Sequence, residues 1–201
     1  MSAHPDEIIA ATHAERTRLV GLVQDLGPDR WSVPSLCAGW QVREVLAHLT
    51  MPFRSTLPDV VLGMARSRFS FDRYADRDAR AVARSMTDAE LVDLLRDNIT
   101  HPWRPPGGGR VGALSHDVIH GLDITEPLGL PRPPVDRVAL VLQNATPRAV
   151  RYFRVDLDGT RLVASDADVT IGNGAEVRLP VTDLLLVVSG RRTLAETIKE
   201  A

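Results

Sequence analysis

The stretch Gly112-Ala-Leu-Ser-His-Asp-Val-Ile-His-Gly-Leu-Asp-Ile-Thr-Glu-Pro127 says most about how this chain folds. Its apolar residues recur every three or four positions, which is the spacing of one helix face, and Pro127 limits the helix. The apolar side includes Val111, Leu114, Val118 and Leu122, whereas His116, His120 and Asp123 lie roughly opposite. The stretch therefore predicts an amphipathic helix with two histidines on its polar side.

The two histidines, His116 and His120, are four residues apart, so their imidazoles lie one helical turn from each other. Such pairs bind metal ions because both rings reach one point beside the helix. A divalent ion needs a third ligand, and the best candidate is His48 in Val42-Arg-Glu-Val-Leu-Ala-His-Leu49. Three neutral nitrogens with open coordination positions are typical of reactive metal sites. The alternative is that His116 and His120 are surface histidines that face water.

Two aspartates lie close to the histidine pair. Asp123 follows His120 by one turn, so we expect its carboxylate to accept a hydrogen bond from an imidazole and orient the ring. Asp117 points elsewhere on the helical wheel, and we expect it to be solvent-exposed or capping. The other histidines have no partner at ligand spacing and are predicted to lie at the surface: His4, His13 and His101.

The remainder of the first 130 residues predicts more helices, joined by turns rich in proline and glycine. The predicted helices cover residues 5–26, 41–52 and 58–69, part of 70–84, and the segment after the capping box Thr87-Asp-Ala-Glu90. Pro52 should end or kink its helix because proline has no amide hydrogen to donate. Between the first two helices we expect an irregular connection, anchored by the burial of Trp31 and Trp40.

The composition changes after Pro127-Leu-Gly-Leu-Pro-Arg-Pro-Pro134, which predicts a domain at residues 1–130 and a second one at 134–201. Strand patterns appear only in the second part, at 161–164, 168–171 and 175–179. Turn residues separate them, so we expect a small antiparallel sheet. Thr182 and Thr193-Leu-Ala-Glu196 predict the starts of two further helices. The predicted fold class is mostly α, a helical bundle followed by a small α+β domain.

Charge and composition exclude several classes of partner. The 201 residues carry a net charge of −2 with interspersed signs, which gives no basic surface for nucleic acid. We find neither an apolar leader nor an apolar run of roughly 20 residues, so we expect a cytoplasmic protein without a membrane partner. The single Cys37 is predicted to be a small buried residue beside Trp40; the alternatives are a reactive thiol or a metal ligand.

Several motifs together resemble a known family. The sequence Trp31-x-x-Pro-Ser-x-Cys-x-Gly-Trp-x-Val-Arg-Glu-Val-x-Ala-His48, followed by His116-Asp-x-x-His120-Gly-x-Asp123 and Pro127-Leu-Gly, resembles the DinB-like superfamily, and specifically the mycothiol-dependent maleylpyruvate isomerase group. The later stretch from Arg161 to Arg192, with Leu184-Leu-Leu-Val-Val-Ser-Gly-Arg191, is similar to the smaller C-terminal domain of that group.

The resemblance implies a DinB-like four-helix bundle in which a zinc or nickel ion is held at the positions of His48, His116 and His120. The isomerase itself carries a carboxylate at the position matching His116, so this three-histidine set is closer to other DinB-like members. The resemblance also implies mycothiol, a small thiol, as cosubstrate. Of 24 basic residues only Lys199 is lysine, and the 23 arginines suggest a GC-rich genome, as in the actinobacteria that make mycothiol.

Two functions are consistent with these observations. The first is a metal-dependent S-transferase or isomerase, in which a metal-bound thiolate attacks a small electrophilic substrate. Arg191 is the candidate for holding a substrate carboxylate, although it is equally well explained as a helix-end surface arginine. The second is a non-catalytic protein that binds a metal or ligand on the same scaffold. A homodimer is a further expectation.

Overall fold

The computed structural model describes residues 4–145, 152–153, 155–157 and 159–200. The helices are α1 (Pro5–Val23), α2 (Val42–Arg54), α3 (Leu57–Arg66), α4 (Phe71–Ser85), α5 (Asp88–Asp97), α6 (Gly109–Thr125), α7 (Val135–Gln143), α8 (Val181–Val188) and α9 (Leu194–Glu200). The strands are β1 (Thr160–Ala164), β2 (Thr170–Gly172) and β3 (Ala175–Leu179). The predicted class, mostly α with a small α+β C-terminal part, is confirmed.

The contacts between residues divide the chain into two compact units. One comprises residues 1–12, 104–122 and 131–201, and the other comprises 13–103 and 123–130. This division differs from the expected domains at 1–130 and 134–201, whose boundaries stay a prediction. Among the described residues, no helix is both long and apolar enough to cross a bilayer.

Helix α2 supplies much of the core in the unit of residues 13–103 and 123–130. Gln41 and Glu44 form a capping box at its start, in which the Gln41 amide donates to Glu44 Oε2 at 2.7 Å. Its fully buried apolar side chains include Val42, Val45 and Leu46, and the helix packs against α4 and α5. Leu91 and Leu95 of α5 belong to the same core. Because Leu46 and Leu49 are 0% and 1% exposed, the helix is fixed in rotation about its axis.

Helix α2 continues through Pro52 to Arg54, so of the two effects expected of Pro52, an end or a kink, the end is wrong. Proline removes only one intrahelical hydrogen bond, and it lies two residues before the last helical residue, where that loss is small. Two side chains of the same helix also donate to its backbone: Thr50 Oγ1 and the Arg54 guanidinium bind the Ala47 oxygen at 2.8 and 3.0 Å. His48 therefore lies in the middle of the helix.

The connection between α1 and α2 is irregular and anchored by tryptophan, as predicted. Trp31 and Trp40 are 4% and 8% exposed and belong to the core of this unit. A short 3₁₀ turn spans Pro28–Ser32, and the amide of Val42 donates to the Val33 oxygen at 3.0 Å. These contacts fix the chain where it enters α2.

Helix α3 packs on α4 through its one buried residue, Gly63. An added Cβ at Gly63 would lie 2.2 Å from Cε2 of Tyr74, so only glycine permits this approach. Helix α4 is helical from Phe71 to Ser85, a longer helix than the partial one we predict. The capping box of Thr87 and Glu90 at the start of α5 is confirmed.

The C-terminal sheet has the strand order β2-β1-β3. Strand β1 pairs antiparallel with β2 and parallel with β3, so the expected all-antiparallel sheet is wrong. The chain crosses from one edge of β1 to the other through Gly172 and Gly174, both with positive φ. A Cβ at Gly174 would lie 2.2 Å from the Gly159 oxygen, which only glycine avoids. The capping box of Thr193 and Glu196 before α9 is confirmed.

Candidate metal centre

His48 is held by the core that surrounds α2. Its side chain is buried, at 6% exposure, and its ring centroid lies 5.1 Å from that of Trp40. Neighbouring helical positions fill the core and fix the rotation of α2, so the direction of His48 follows from the same packing. The neutral imidazole is the form of histidine that binds metals.

Trp40, which packs on His48, is itself held by a polar chain on α4. Its Nε1 donates to Asp76 Oδ1 at 2.8 Å, and the same oxygen accepts from Arg80 Nε at 2.8 Å. Arg80 also donates to the Gly39 oxygen at 2.7 Å. The hydrogen bond from Trp40, followed by Arg80, holds the pKa of the Asp76 carboxyl below its usual range, although partial burial opposes this shift. Asp76 and Arg80 therefore hold in place the Trp40 ring that packs against His48.

Helix α6 carries the other two histidines on consecutive turns. His116 and His120 are half-buried, and their ring centroids lie 4.9 Å apart in an edge-to-face arrangement with an interplanar angle of 75°. The side chain of His116 is 15% exposed, so the alternative of an ordinary surface histidine does not describe it.

Asp117 contacts His116 directly, which overturns the expectation that Asp117 is solvent-exposed or capping. Its carboxylate Oδ1 lies 2.9 Å from His116 Nδ1, and the residue is only 2% exposed. A carboxylate that accepts from Nδ1–H fixes the tautomer in which Nε2 carries the lone pair. His116 then presents Nε2 as the nitrogen that can bind a metal ion. Sequence reasoning gave this role to Asp123; the adjacent His-Asp pair in the sequence was the available signal.

The structure brings His48, His116 and His120 together as a group that can hold a metal ion. One ring nitrogen from each lies within 4.8 Å of the others. Nitrogens bound to one tetrahedral zinc ion at about 2.0–2.1 Å are roughly 3.3 Å apart, so small side-chain rotations from this arrangement suffice. Three imidazoles suit zinc and nickel, and a set without oxygen ligands does not suit calcium or magnesium. The residues present therefore fit a divalent transition metal.

Asp123 and Arg191 lie in different surroundings. Asp123 is fully buried, and its backbone oxygen accepts from the Leu36 amide at 3.1 Å. Arg191 donates to the Ser189 oxygen at 2.9 Å, and its Cζ lies 5.8 Å from the Phe153 ring centroid. It lines a cavity of about 330 Å³ together with Arg192 and Glu196. Orientation of an imidazole by Asp123 and substrate binding by Arg191 stay predictions.

The histidines outside the group differ in exposure. His4 is exposed, as predicted, whereas His13 and His101 are half-buried. Burial, followed by the charge of Arg16, lowers the pKa of both His13 and His101. His101 Nδ1 also accepts from the Trp103 amide at 3.2 Å, which requires that nitrogen to be unprotonated. Cys37 is only half-buried, and it packs against the core that contains Trp40.

The fold and the histidine group together define a class: a mostly helical protein with three histidines that can bind a metal, followed by a small α+β part. Residues 12–102 match the family model described as the mycothiol maleylpyruvate isomerase N-terminal domain. This match confirms the predicted resemblance over that segment, which includes His48 and ends before α6.

Two relatives extend the similarity to most of the chain. They are uncharacterized proteins of Mycobacterium tuberculosis, from strains CDC 1551 and H37Rv, and each is 26% identical over 234 aligned residues. The alignment covers 96% of this chain and 88% of each relative. No solved structure gives a significant match.

Proposed function

We propose that this protein is a metal-dependent S-transferase or isomerase that uses a mycothiol-type thiol and acts on a small electrophilic substrate. The observation that carries the proposal is the convergence of His48, His116 and His120 within 4.8 Å. The match of residues 12–102 to a domain named for a mycothiol-dependent isomerase supports the choice of thiol. We further propose zinc or nickel as the metal and the cytoplasm as the location.

The donor set suits this chemistry because His48, His116 and His120 would hold the ion, and catalytic sites with three protein ligands also bind an exogenous group. When bound, a divalent ion would supply Lewis acidity, which lowers the pKa of a thiol and favours the nucleophilic thiolate. Asp117 orients His116 through the 2.9 Å contact at Nδ1, and Trp40 packs against the ring of His48. We propose in addition that Arg191 binds a substrate carboxylate through its guanidinium.

Metal content tests the ligand set. The purified protein, reconstituted with zinc or nickel and then desalted, should retain about one ion per chain. His120→Ala should lose that ion while its circular dichroism spectrum is unchanged, because the half-buried His120 is not part of the core. His4→Ala is the matched control, since His4 is an exposed histidine outside the group. A wild-type chain that retains no metal after reconstitution would rule out the proposal.

Turnover distinguishes the enzyme from the non-catalytic alternative. The metal-loaded protein is incubated with mycothiol and a panel of electrophiles that includes cis-configured unsaturated acids, and products are measured by mass spectrometry. Thiol adducts or isomerised acids that require both metal and mycothiol support the enzyme. Stoichiometric metal without any product across the panel supports a binding protein instead.

A further inference from the structure

The indole of Trp40 lies against the imidazole of His48 inside the unit of residues 13–103 and 123–130. The two ring centroids are 5.1 Å apart, and the ring planes are inclined at 56°. Trp40 is 8% exposed and His48 is 6% exposed, so both rings are shielded from bulk water. A positive charge on the imidazole would therefore lie within the roughly 6 Å over which an indole attracts a cation.

Three hydrogen bonds fix the position of Trp40. Its amide donates to the Cys37 oxygen at 3.0 Å, and its own carbonyl oxygen accepts from the Ser35 amide at 2.9 Å. The indole Nε1 donates to Asp76 Oδ1 at 2.8 Å. The ring cannot turn away from His48 without losing the bond to Asp76. The indole is therefore preorganised beside the imidazole.

Arg80 ties the aspartate of this contact to the helix that carries His48. Its Nε donates to Asp76 Oδ1 at 2.8 Å, and its Nη1 donates to Glu44 Oε1 at 3.2 Å. Glu44 lies in the first turn of α2, one helical turn before His48. Two carboxylates and one guanidinium leave a net negative charge at the indole N–H. Because hydrogen bonds polarise the groups that they join, this charge raises the electron density of the indole.

We propose that Trp40 is a positioning residue of the metal site, and that its indole stabilises His48 more strongly when the imidazole is bound to a metal. The imidazole becomes more positive when it binds a divalent ion, so the attraction to the π electrons of Trp40 is larger than for the neutral ring. The carboxylate of Asp76 strengthens this attraction through the indole N–H. The inference rests on the proposed metal site of His48, His116 and His120.

A series of fluorinated tryptophans tests the proposal, because fluorine withdraws π electrons and changes the shape of the indole little. The protein is produced with tryptophan or with its mono-, di- or trifluoro analogue, and the zinc affinity is measured by competition with a chromophoric chelator. The affinity should fall with each added fluorine, by about tenfold across the series, which is the scale of a desolvated cation–π contact. Thermal unfolding of the metal-free protein should be nearly the same across the series.

Trp40→Phe is the matched control, because the chain has two other tryptophans that are fluorinated in the same preparation, Trp31 and Trp103. This variant should bind zinc about 3- to 10-fold more weakly than wild type, since a phenyl ring attracts a cation less than an indole does. Its zinc affinity should not depend on fluorination. If it shows the same dependence as wild type, the effect comes from another tryptophan and the proposal is wrong.

A pair of substitutions on α4 tests the role of the carboxylate. Asp76→Asn keeps an acceptor for the indole N–H but removes the charge, so it should lower the zinc affinity about 2- to 5-fold. Asp78→Asn is its control, because Asp78 also joins α4 to α2, through Arg54 at 2.6 Å rather than through Trp40. This control should bind zinc like wild type. An equal loss in both variants would assign the effect to the packing of α4 on α2 and overturn the role of Asp76.

Two results separate this inference from the proposed function. A wild-type chain that retains no zinc after reconstitution overturns the proposed metal site, and the inference with it. A wild-type chain that binds zinc, loses it on His120→Ala, and has the same affinity at every level of fluorination overturns the inference about Trp40 alone.

Discussion

Asp117→Asn should weaken zinc binding because it removes the negative charge beside His116. In the structure Asp117 Oδ1 lies 2.9 Å from His116 Nδ1, and the carboxylate is almost completely buried. The amide of asparagine has the same shape and keeps one acceptor oxygen. The substitution therefore changes the charge and the strength of the contact, and leaves the packing largely intact.

The expected magnitude follows from the strength of that contact. Hydrogen bonds to a charged group contribute about 1.5–3 kcal/mol and neutral ones about half as much, so the exchange should cost about 0.8–1.5 kcal/mol. This corresponds to a zinc affinity about 4- to 13-fold lower. Asp117→Ala removes the acceptor and should approach the 100-fold end of the range seen when such partners are lost.

The assay is a zinc competition titration against a chromophoric chelator, with thermal unfolding of the metal-free protein as a check on the fold. Asp123→Asn is the informative comparison, because the sequence pattern assigned the orienting role to Asp123. If Asp117→Asn binds zinc like wild type while Asp123→Asn loses affinity, the inference drawn from the 2.9 Å contact is wrong.

Three further predictions concern stability and can be measured by chemical unfolding. Arg16→Met should lower the free energy of unfolding by about 3 kcal/mol or more, because the buried Arg16 guanidinium donates to three carbonyls of the α5–α6 connection. Arg96→Met is the control: it removes a surface ion pair and should lower the free energy of unfolding by less than about 1 kcal/mol. Equal effects would contradict this account. Gly63→Ala should destabilise the protein by about 1–3 kcal/mol, because the new Cβ would clash with the ring of Tyr74. Gly21→Ala is the control: a Cβ there meets nothing within 4 Å, so the substitution should be neutral or stabilising. Because the pKa of His101 is lowered in the folded protein, the unfolded chain binds this proton first as the pH falls. The free energy of unfolding should therefore decrease from about pH 6.5 down through the lower pKa of the folded state. His101→Gln should make this pH dependence less steep, and an unchanged dependence would contradict the assignment to His101.

Local patterns in the sequence predict most of the helices and the histidine pair. The i, i+4 spacing of His116 and His120 is a property of one helix, and the structure places their rings 4.9 Å apart. The capping boxes were equally local, because each depends on two residues three positions apart. Such features need no knowledge of how distant segments pack.

The sheet shows where local patterns are insufficient. Alternation and turn residues indicate strands, but they do not say which edge of β1 each neighbour joins. The turn residues between the strand patterns predict an antiparallel sheet, yet β3 pairs in parallel with β1. In this arrangement Gly174 lies against the Gly159 carbonyl, a contact between residues that are distant along the chain.

The error over Asp117 has a physical cause that bears on the function. The helical wheel assumes one buried and one wet face, but α6 is buried on several sides: Asp117 is 2%, Val118 0% and Asp123 0% exposed. A carboxylate with so little exposure requires a donor, and the adjacent imidazole supplies it through Nδ1. The same burial removes His116 from bulk water. The proposed metal ion would bind the second nitrogen of His116 inside the protein, together with His48 and His120.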